Sequence, residues 1–167
     1  MGFIEAIKSG YSRYFDFQGR SSRSEFWYWK LYVVLVGLPL LIFGFFMLIH
    51  TGGLDPATFA NPEKVLTIYW DHFLYFVPML LWYLIHLVPL IALQVRRLHD
   101  RGVSGWLVAI VWLTQILLMV PALLAYPIVY MTIHIVGGII GIALLVMFLL
   151  PGTSGDNQYG PDPLASQ

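Results

Sequence analysis

The stretch Gln94-Val-Arg-Arg-Leu-His-Asp-Arg-Gly-Val-Ser-Gly-Trp106 places three arginines, a histidine and an aspartate between two long apolar segments. Upstream, positions 73–93 run for 21 residues without a formal charge; downstream, positions 106–150 run for 45. A helix rising 1.5 Å per residue crosses a hydrocarbon core of about 30 Å in about 20 residues. The upstream run therefore reads as one membrane span. The downstream run would be roughly 67 Å long as a single helix, enough for two spans, so it must fold back. Pro121 and Pro127, with Tyr126 and Tyr130 beside them, mark the expected turn. The upstream helix is expected to continue to about Arg101, where Gly102 can end it. On that extension Arg96 and Arg97 stand four and three residues before Asp100 and share its face.

Composition agrees with lipid as the solvent. Of 167 residues, 59% are hydrophobic and 11% charged, against about 25% charged in soluble domains. A chain this short keeps too much surface to hide that apolar content from water. Nine basic and nine acidic residues cancel, so no nucleic-acid partner is expected. The absence of cysteine excludes disulfides, thiolate metal sites and thiol catalysis. The first 25 residues are too polar for a cleavable signal, so the first apolar run is expected to stay as an anchor. Ala6 stands where a myristoylation motif needs Ser or Thr.

Further upstream, Phe3, Ile4, Ile7, Tyr11, Tyr14 and Phe15 recur at helical spacing, with Lys8 and Arg13 elsewhere on the wheel. Residues 1–25 thus suggest an amphipathic helix at the headgroups; a frayed tail is the alternative. Ser22 and Glu25 have capping-box spacing. Trp27, Tyr28, Trp29 and Tyr32 suit a membrane interface, where Lys30 can snorkel. Residues 31–49 carry no charge and form the first span, with a kink expected at Pro39. The connector 50–71 has turn signals at Thr51-Gly-Gly and Asp55-Pro56, and Asn61-Pro62-Glu63 opens a short surface helix that runs into the second span. The expected architecture is an all-α integral membrane protein with an N-terminal interfacial helix. Its domains are a cytoplasmic segment 1–25, a membrane domain 26–150 with four spans near 26–49, 73–93, 106–125 and 129–150, and a turn-rich tail 151–167.

Lys8, Arg13, Arg20, Arg23, Arg96, Arg97 and Arg101 fall on one side of that topology, against Lys64 on the other. Basic loops stay in the cytoplasm, so both termini are expected there. A three-span chain would put the tail outside. The four-span order gathers Arg20, Arg23, Glu25, Arg96, Arg97, His99, Asp100 and Arg101 with Asp156, Asn157, Tyr159 and Asp162 at one surface. Tail carboxylates can pair with loop guanidiniums. Such a cluster either only sets orientation or binds anionic lipid headgroups, another protein or a second copy. Catalysis is not expected: His99 and Asp100 point about 100° apart on a helix, no Gly-x-Ser-x-Gly turn supports a serine nucleophile, and the tail lacks calcium-loop density. No metal and no cofactor are expected.

Within the spans, His86, Gln115 and His134 are polar, as are Thr114 and Thr132. Intramembrane polar groups are candidates for a solute path, with helix–helix hydrogen bonding as the plainer role. His86 and Gln115 lie where they could meet. A small transporter or channel subunit acting as an oligomer is the competing reading. Gly137-x-x-x-Gly141 permits close helix approach, within the bundle or between copies.

Three motifs in order, Phe17-Gln-Gly-Arg-Ser-Ser-Arg-Ser-Glu-Phe-Trp27, Arg96-Arg-Leu-His-Asp-Arg-Gly-Val-Ser-Gly-Trp106 and Pro151-Gly-Thr-Ser-Gly-Asp-Asn-Gln-Tyr-Gly-Pro-Asp-Pro163, resemble the YhaH-like family of small bacterial inner-membrane proteins, a domain of unknown function (DUF805). The resemblance implies a multi-span inner-membrane bundle. It implies no activity, cofactor or site residues. The outer connector and the final apolar run are longer here than in the family pattern.

Overall fold

A computed structural model describes residues 1–51 and 62–165. Five α-helices occur among them: α1 (Phe3–Ser12), α2 (Arg23–His50), α3 (Pro62–His99), α4 (Trp106–Leu118) and α5 (Pro127–Leu149), with a 3-10 turn at Pro121–Ala125 between the last two. No strand is present among the described residues, only an isolated bridge between Asn157 and Gly160. Among the described residues, three helices are long and apolar enough to cross a membrane: α2, the Trp70–His99 part of α3, and α5. The shorter apolar α4 is a difference from the expected 106–125 span. Its α-helix closes after 13 residues. Pro121 has no N–H to give, and its ring disfavours helical geometry at Val120, so the chain leaves the α-helix before the proline and resumes as a 3-10 turn. Pro127 then opens α5 at its first turn, where the missing N–H costs nothing.

A single helix runs from Pro62 to His99, so the helix expected to open at Pro62 is continuous with the second span. Asn61, the expected cap, and the turn signals at 52–60 lie outside the described residues.

The chain divides into two compact units. The first comprises Met1–Trp29 and Pro89–Gln167; the second is Lys30–Val88. In the second, α2 and α3 run antiparallel. Trp82 Nε1 donates to the Val33 carbonyl at 3.0 Å, the Phe45 and Phe76 rings meet edge-on, and Thr51 bonds His72. Gly37 and Gly44 make room for α3: a Cβ at Gly37 would stand 3.0 Å from the Tyr83 hydroxyl, and one at Gly44 would stand 2.7 Å from the Phe76 ring. These are close-approach positions, occupied by the one residue with no side chain.

In the first unit, Phe26, Trp29, Ala92, Leu93, Leu98, Val108, Leu144 and Phe148 are buried. Phe26 packs on Phe148 with ring centroids 4.6 Å apart. Gly137 brings α5 against Thr114 of α4, so its half of the Gly-x-x-x-Gly pair serves contact within the chain, whereas Gly141 faces open space. The N-terminal helix ends at Ser12, leaving Tyr14 and Phe15 beyond it. Its buried positions are the small residues Ala6 and Gly10, and Trp29 fills the space beside Gly10. A Cβ at Gly10 would lie 2.1 Å from the Trp29 ring.

Overpacking a filled interior typically costs about 1–3 kcal/mol. Gly10→Val should therefore lower the thermal midpoint of the detergent-solubilised protein, measured by tryptophan fluorescence, while Gly141→Val should leave it unchanged.

Candidate functional site

The charged residues of the three motifs meet in the first unit, around Asp100. The helix α3 carries Arg96, Arg97 and His99 in its last turn, and Gly102, at φ +70°, lets the chain turn away. Asp100 is 3% exposed. Its Oδ1 accepts from Arg20 Nε at 3.0 Å, and its Oδ2 accepts from Arg97 Nη1. One buried carboxylate is thus gripped by two guanidiniums, one local and one 80 positions away. The Asp100 carbonyl accepts from the Thr153 N–H at 2.8 Å and from its hydroxyl at 3.1 Å. Gly152 permits this approach: a Cβ there would stand 2.1 Å from Asp100 Oδ2.

Arg20, 6% exposed, also donates to the carbonyls of Gly155 and Thr153, at 2.6 Å and 2.5 Å, and lies 4.0 Å from Asp162. Arg97, fully buried, donates to the carbonyls of Phe148 at 3.4 Å and of Leu150. These sit at the C-terminal end of α5, where carbonyls lack intrahelical donors and a cation is favoured. Arg101 donates to the next carbonyl of interest, that of Pro151. His99 holds the tail differently. Its ring stacks on Tyr159 with centroids 4.0 Å apart, its Nδ1 donates to the Gly19 carbonyl at 3.1 Å, and its own carbonyl accepts from Asn157. His99 and Asp100 thus face different partners, in keeping with their angular separation on the helix.

Arg96 differs from the sequence expectation. It pairs not with Asp100 but with Glu25, at 3.8 Å, and donates to the Arg13 and Asp16 carbonyls in the turn after α1. Arg20 and Arg97 occupy one oxygen each of Asp100. Glu25 accepts from Ser9 at 2.8 Å and Ser21 at 2.6 Å, and this diverts it from closing the capping box; Ser22 Oγ still accepts the Glu25 N–H at 3.3 Å. The buried arginines Arg20, Arg96 and Arg97 are matched by Glu25, Asp100 and Asp162. Asp162 is held below the ordinary carboxylate value, first by the Leu164 N–H, with the Gly155 N–H and the Arg20 charge adding to it. At Asp16 burial raises the pKa, but the Arg13 hydrogen bond, the Gln18 N–H and the charges of Arg13 and Arg96 outweigh it and the net shift is downward.

Other members of the expected cluster stay outside. Arg23 is exposed and, among the described residues, forms no ion pair. Asp156 is exposed and accepts the Asp162 N–H at 3.2 Å instead of binding an arginine. Among the polar groups of the apolar helices, His86 is 2% exposed, with Nδ1 donating to the Trp82 carbonyl at 2.7 Å and its ring against Trp82 and Tyr32. Gln115 borders a cavity of about 280 Å³ with Gln94 and Trp112. His134 is exposed and stacks on Tyr130. The sequence gives no sign that Ser9, Ser21, Gly152 and Thr153 take part in the cluster, because their parts depend on tertiary placement. The glycine-rich tail beside an arginine-rich hinge was the one available signal.

Breaking a buried ion pair by removing one partner typically costs about 3–5 kcal/mol. Asp100→Asn should therefore release the tail. Amide hydrogen exchange at 152–160 is expected to quicken by at least tenfold, with exchange in 37–44 unchanged.

A model of the family described as "Protein of unknown function (DUF805)" matches residues 14–161. Similar curated proteins include "Inner membrane protein YhaI" of Escherichia coli K12, 29% identical over 90% of this chain and 87% of its own length. "Uncharacterized protein YiiR" of the same strain is 30% identical over 89% of this chain and 86% of its own length. No solved structure matches. The matched region holds the first two motifs and the third as far as position 161, and the chain belongs to the DUF805 family.

Proposed function

We propose that this chain is a multi-pass protein of the bacterial inner membrane that crosses four times, with residues 1–25 and the tail on the cytoplasmic side. Three observations support this. The relative YhaI is named an inner membrane protein. The basic residues crowd onto one side of the topology. Most tellingly, Arg20 bonds both Asp100 and the carbonyls of Thr153 and Gly155. Those three segments then share one membrane face, so an even number of crossings separates each pair. Two helices, α2 and α3, lie between Arg20 and Asp100; α4 and α5 lie between Asp100 and the tail. The third crossing is short, but 13 α-helical residues at 1.5 Å and five 3-10 residues at 2 Å together reach about 30 Å.

The function is non-catalytic docking of anionic lipid headgroups at the cytoplasmic face. Within the ionic cluster Arg20 and Arg97 are taken up by carboxylates and carbonyls. Arg96, whose Nε and Nη2 are buried without a hydrogen-bond partner, is held by Glu25 and two carbonyls. The three thus fasten the platform and leave recognition to other cations. Arg23 carries the reading. It is exposed, forms no ion pair among the described residues, and borders a cavity of about 150 Å³ shared with Ser22, Ser154 and Arg97 and with the carboxylates of Asp100 and Asp162, both already paired with arginines. A phosphate there would meet a guanidinium and hydroxyl donors. The exposed Lys8 and the partly exposed Arg101 add attraction to an anionic leaflet.

Each basic residue near an anionic membrane is worth about 1 kcal/mol, roughly fivefold in binding. In nanodiscs of equal phosphatidylglycerol and phosphatidylcholine, Arg23→Glu should reduce phosphatidylglycerol retained in native mass spectrometry by fivefold or more. Retention equal to that of the unaltered protein would remove headgroup docking at Arg23.

A further inference from the structure

A second cavity, separate from the one beside Arg23, lies in the first unit between the end of α3 and the start of α4. It encloses about 650 Å³. Its long walls are apolar, with Ile91 and Val95 on α3 and Leu113 and Ile116 on α4. Trp112 forms part of the second wall, held by a hydrogen bond from its Nε1 to Gln94 Oε1 at 3.0 Å. The polar side chains at the lining that are not tryptophan are His99 and Ser104, both at the end where the chain passes from α3 to α4. Trp106, 78% exposed, stands at that same end.

The two polar groups are pre-set. The Nδ1 of His99 donates to the Gly19 carbonyl, so in the neutral ring Nε2 is left as an acceptor. Ser104 Oγ accepts the Trp106 N–H at 3.4 Å and keeps its hydroxyl proton for donation. An occupant is therefore required to be apolar along most of its length and polar at one end.

Size narrows the choice. The lining residues cover about 16 Å of helix at 1.5 Å per residue. A volume of 650 Å³ over that length leaves a cross-section of about 40 Å², half of the roughly 80 Å² that an α-helix about 10 Å wide occupies. The groove is open along one side, its section is one that an extended hydrocarbon chain lying along it can occupy, and the apolar wall lies on two helices whose surroundings are lipid.

We propose that this groove binds one acyl chain of a membrane phospholipid, with the polar glycerol end of that lipid at His99 and Ser104. The inference rests on α3 and α4 crossing the membrane; it does not depend on headgroup docking at Arg23.

The test uses the full-length protein in vesicles of phosphatidylethanolamine and phosphatidylglycerol, doped with phosphatidylcholine carrying a photoactivatable diazirine in one acyl chain. After illumination, cross-linked positions are mapped by mass spectrometry. Adducts are expected to concentrate at 91–95 and 109–116, at least fivefold above the exposed face of α5. Ala109→Trp, which fills the groove, should reduce them at least fivefold. Ile110→Trp, exposed on the same helix but outside the lining, should not. Leu113→Trp is a second filling variant, should Ala109→Trp fail to fold. Adducts spread evenly over all lipid-facing positions, or equal loss in the filling and the Ile110→Trp variants, would overturn the site. So would cross-links at the groove between two copies. Arg23→Glu should leave groove adducts unchanged, so headgroup retention that is unaltered in that variant refutes docking at Arg23 and not the acyl-chain site.

Discussion

A carboxylate with no access to water must have its charge answered nearby, and Asp100 is answered by Arg20 and Arg97 together. Those two guanidiniums then have donors to spare, and the carbonyls they reach belong to the chain just after α5 and to its last turn. Through one buried anion, the end of α3, the approach to α2 and the exit from α5 become a single object. The interaction is costly to assemble, since desolvating three ions forfeits several kcal/mol for each. Its compensation is the near-complete satisfaction of their hydrogen-bonding groups. A structure built this way tolerates loss of any one ion poorly, whatever the surface around it does.

The cluster also solves a problem set by the solvent. A helix leaving the membrane exposes carbonyls that have no intrahelical donor. Arg97 and Arg101 supply donors at the end of α5, and Arg96 does the same for the turn after α1. The same arginines that sequence patterning assigns to orientation thus double as terminators. Once they are spent in that way, the net charge available to an outside partner falls to the exposed cations, of which Arg23 is the clearest. That division of labour, buried charge for assembly and exposed charge for recognition, is what the headgroup reading rests on.

Much of this was legible beforehand for simple physical reasons. Charge-free runs of span length identify membrane helices because burying charge in lipid is expensive, and α2, α3 and α5 appear where the runs do. Pro62 opens a helix because proline fits the first turn. The arginine-rich hinge announced the cluster. What stayed hidden depends on competition between partners. Arg96 and Asp100 share a helical face, yet Arg20 arrives from 80 residues away and displaces one of them. The aromatic stripe of the N-terminal helix suggested a wide apolar face, but Trp29 settles onto Gly10 instead. Backbone carbonyls, which accept most of the arginine bonds, leave no trace in a list of side chains.

The central claim is that residues near 20, 100 and 155 occupy one side of the membrane. Because the chain contains no cysteine, single replacements at Gln18 and Ser154 can be labelled with a membrane-impermeant maleimide in intact cells and in inverted vesicles. The account predicts that both thiols react only in inverted vesicles. Reaction of the Ser154→Cys thiol in intact cells, with that at position 18 protected, would contradict it, because Arg20 could not then reach the tail.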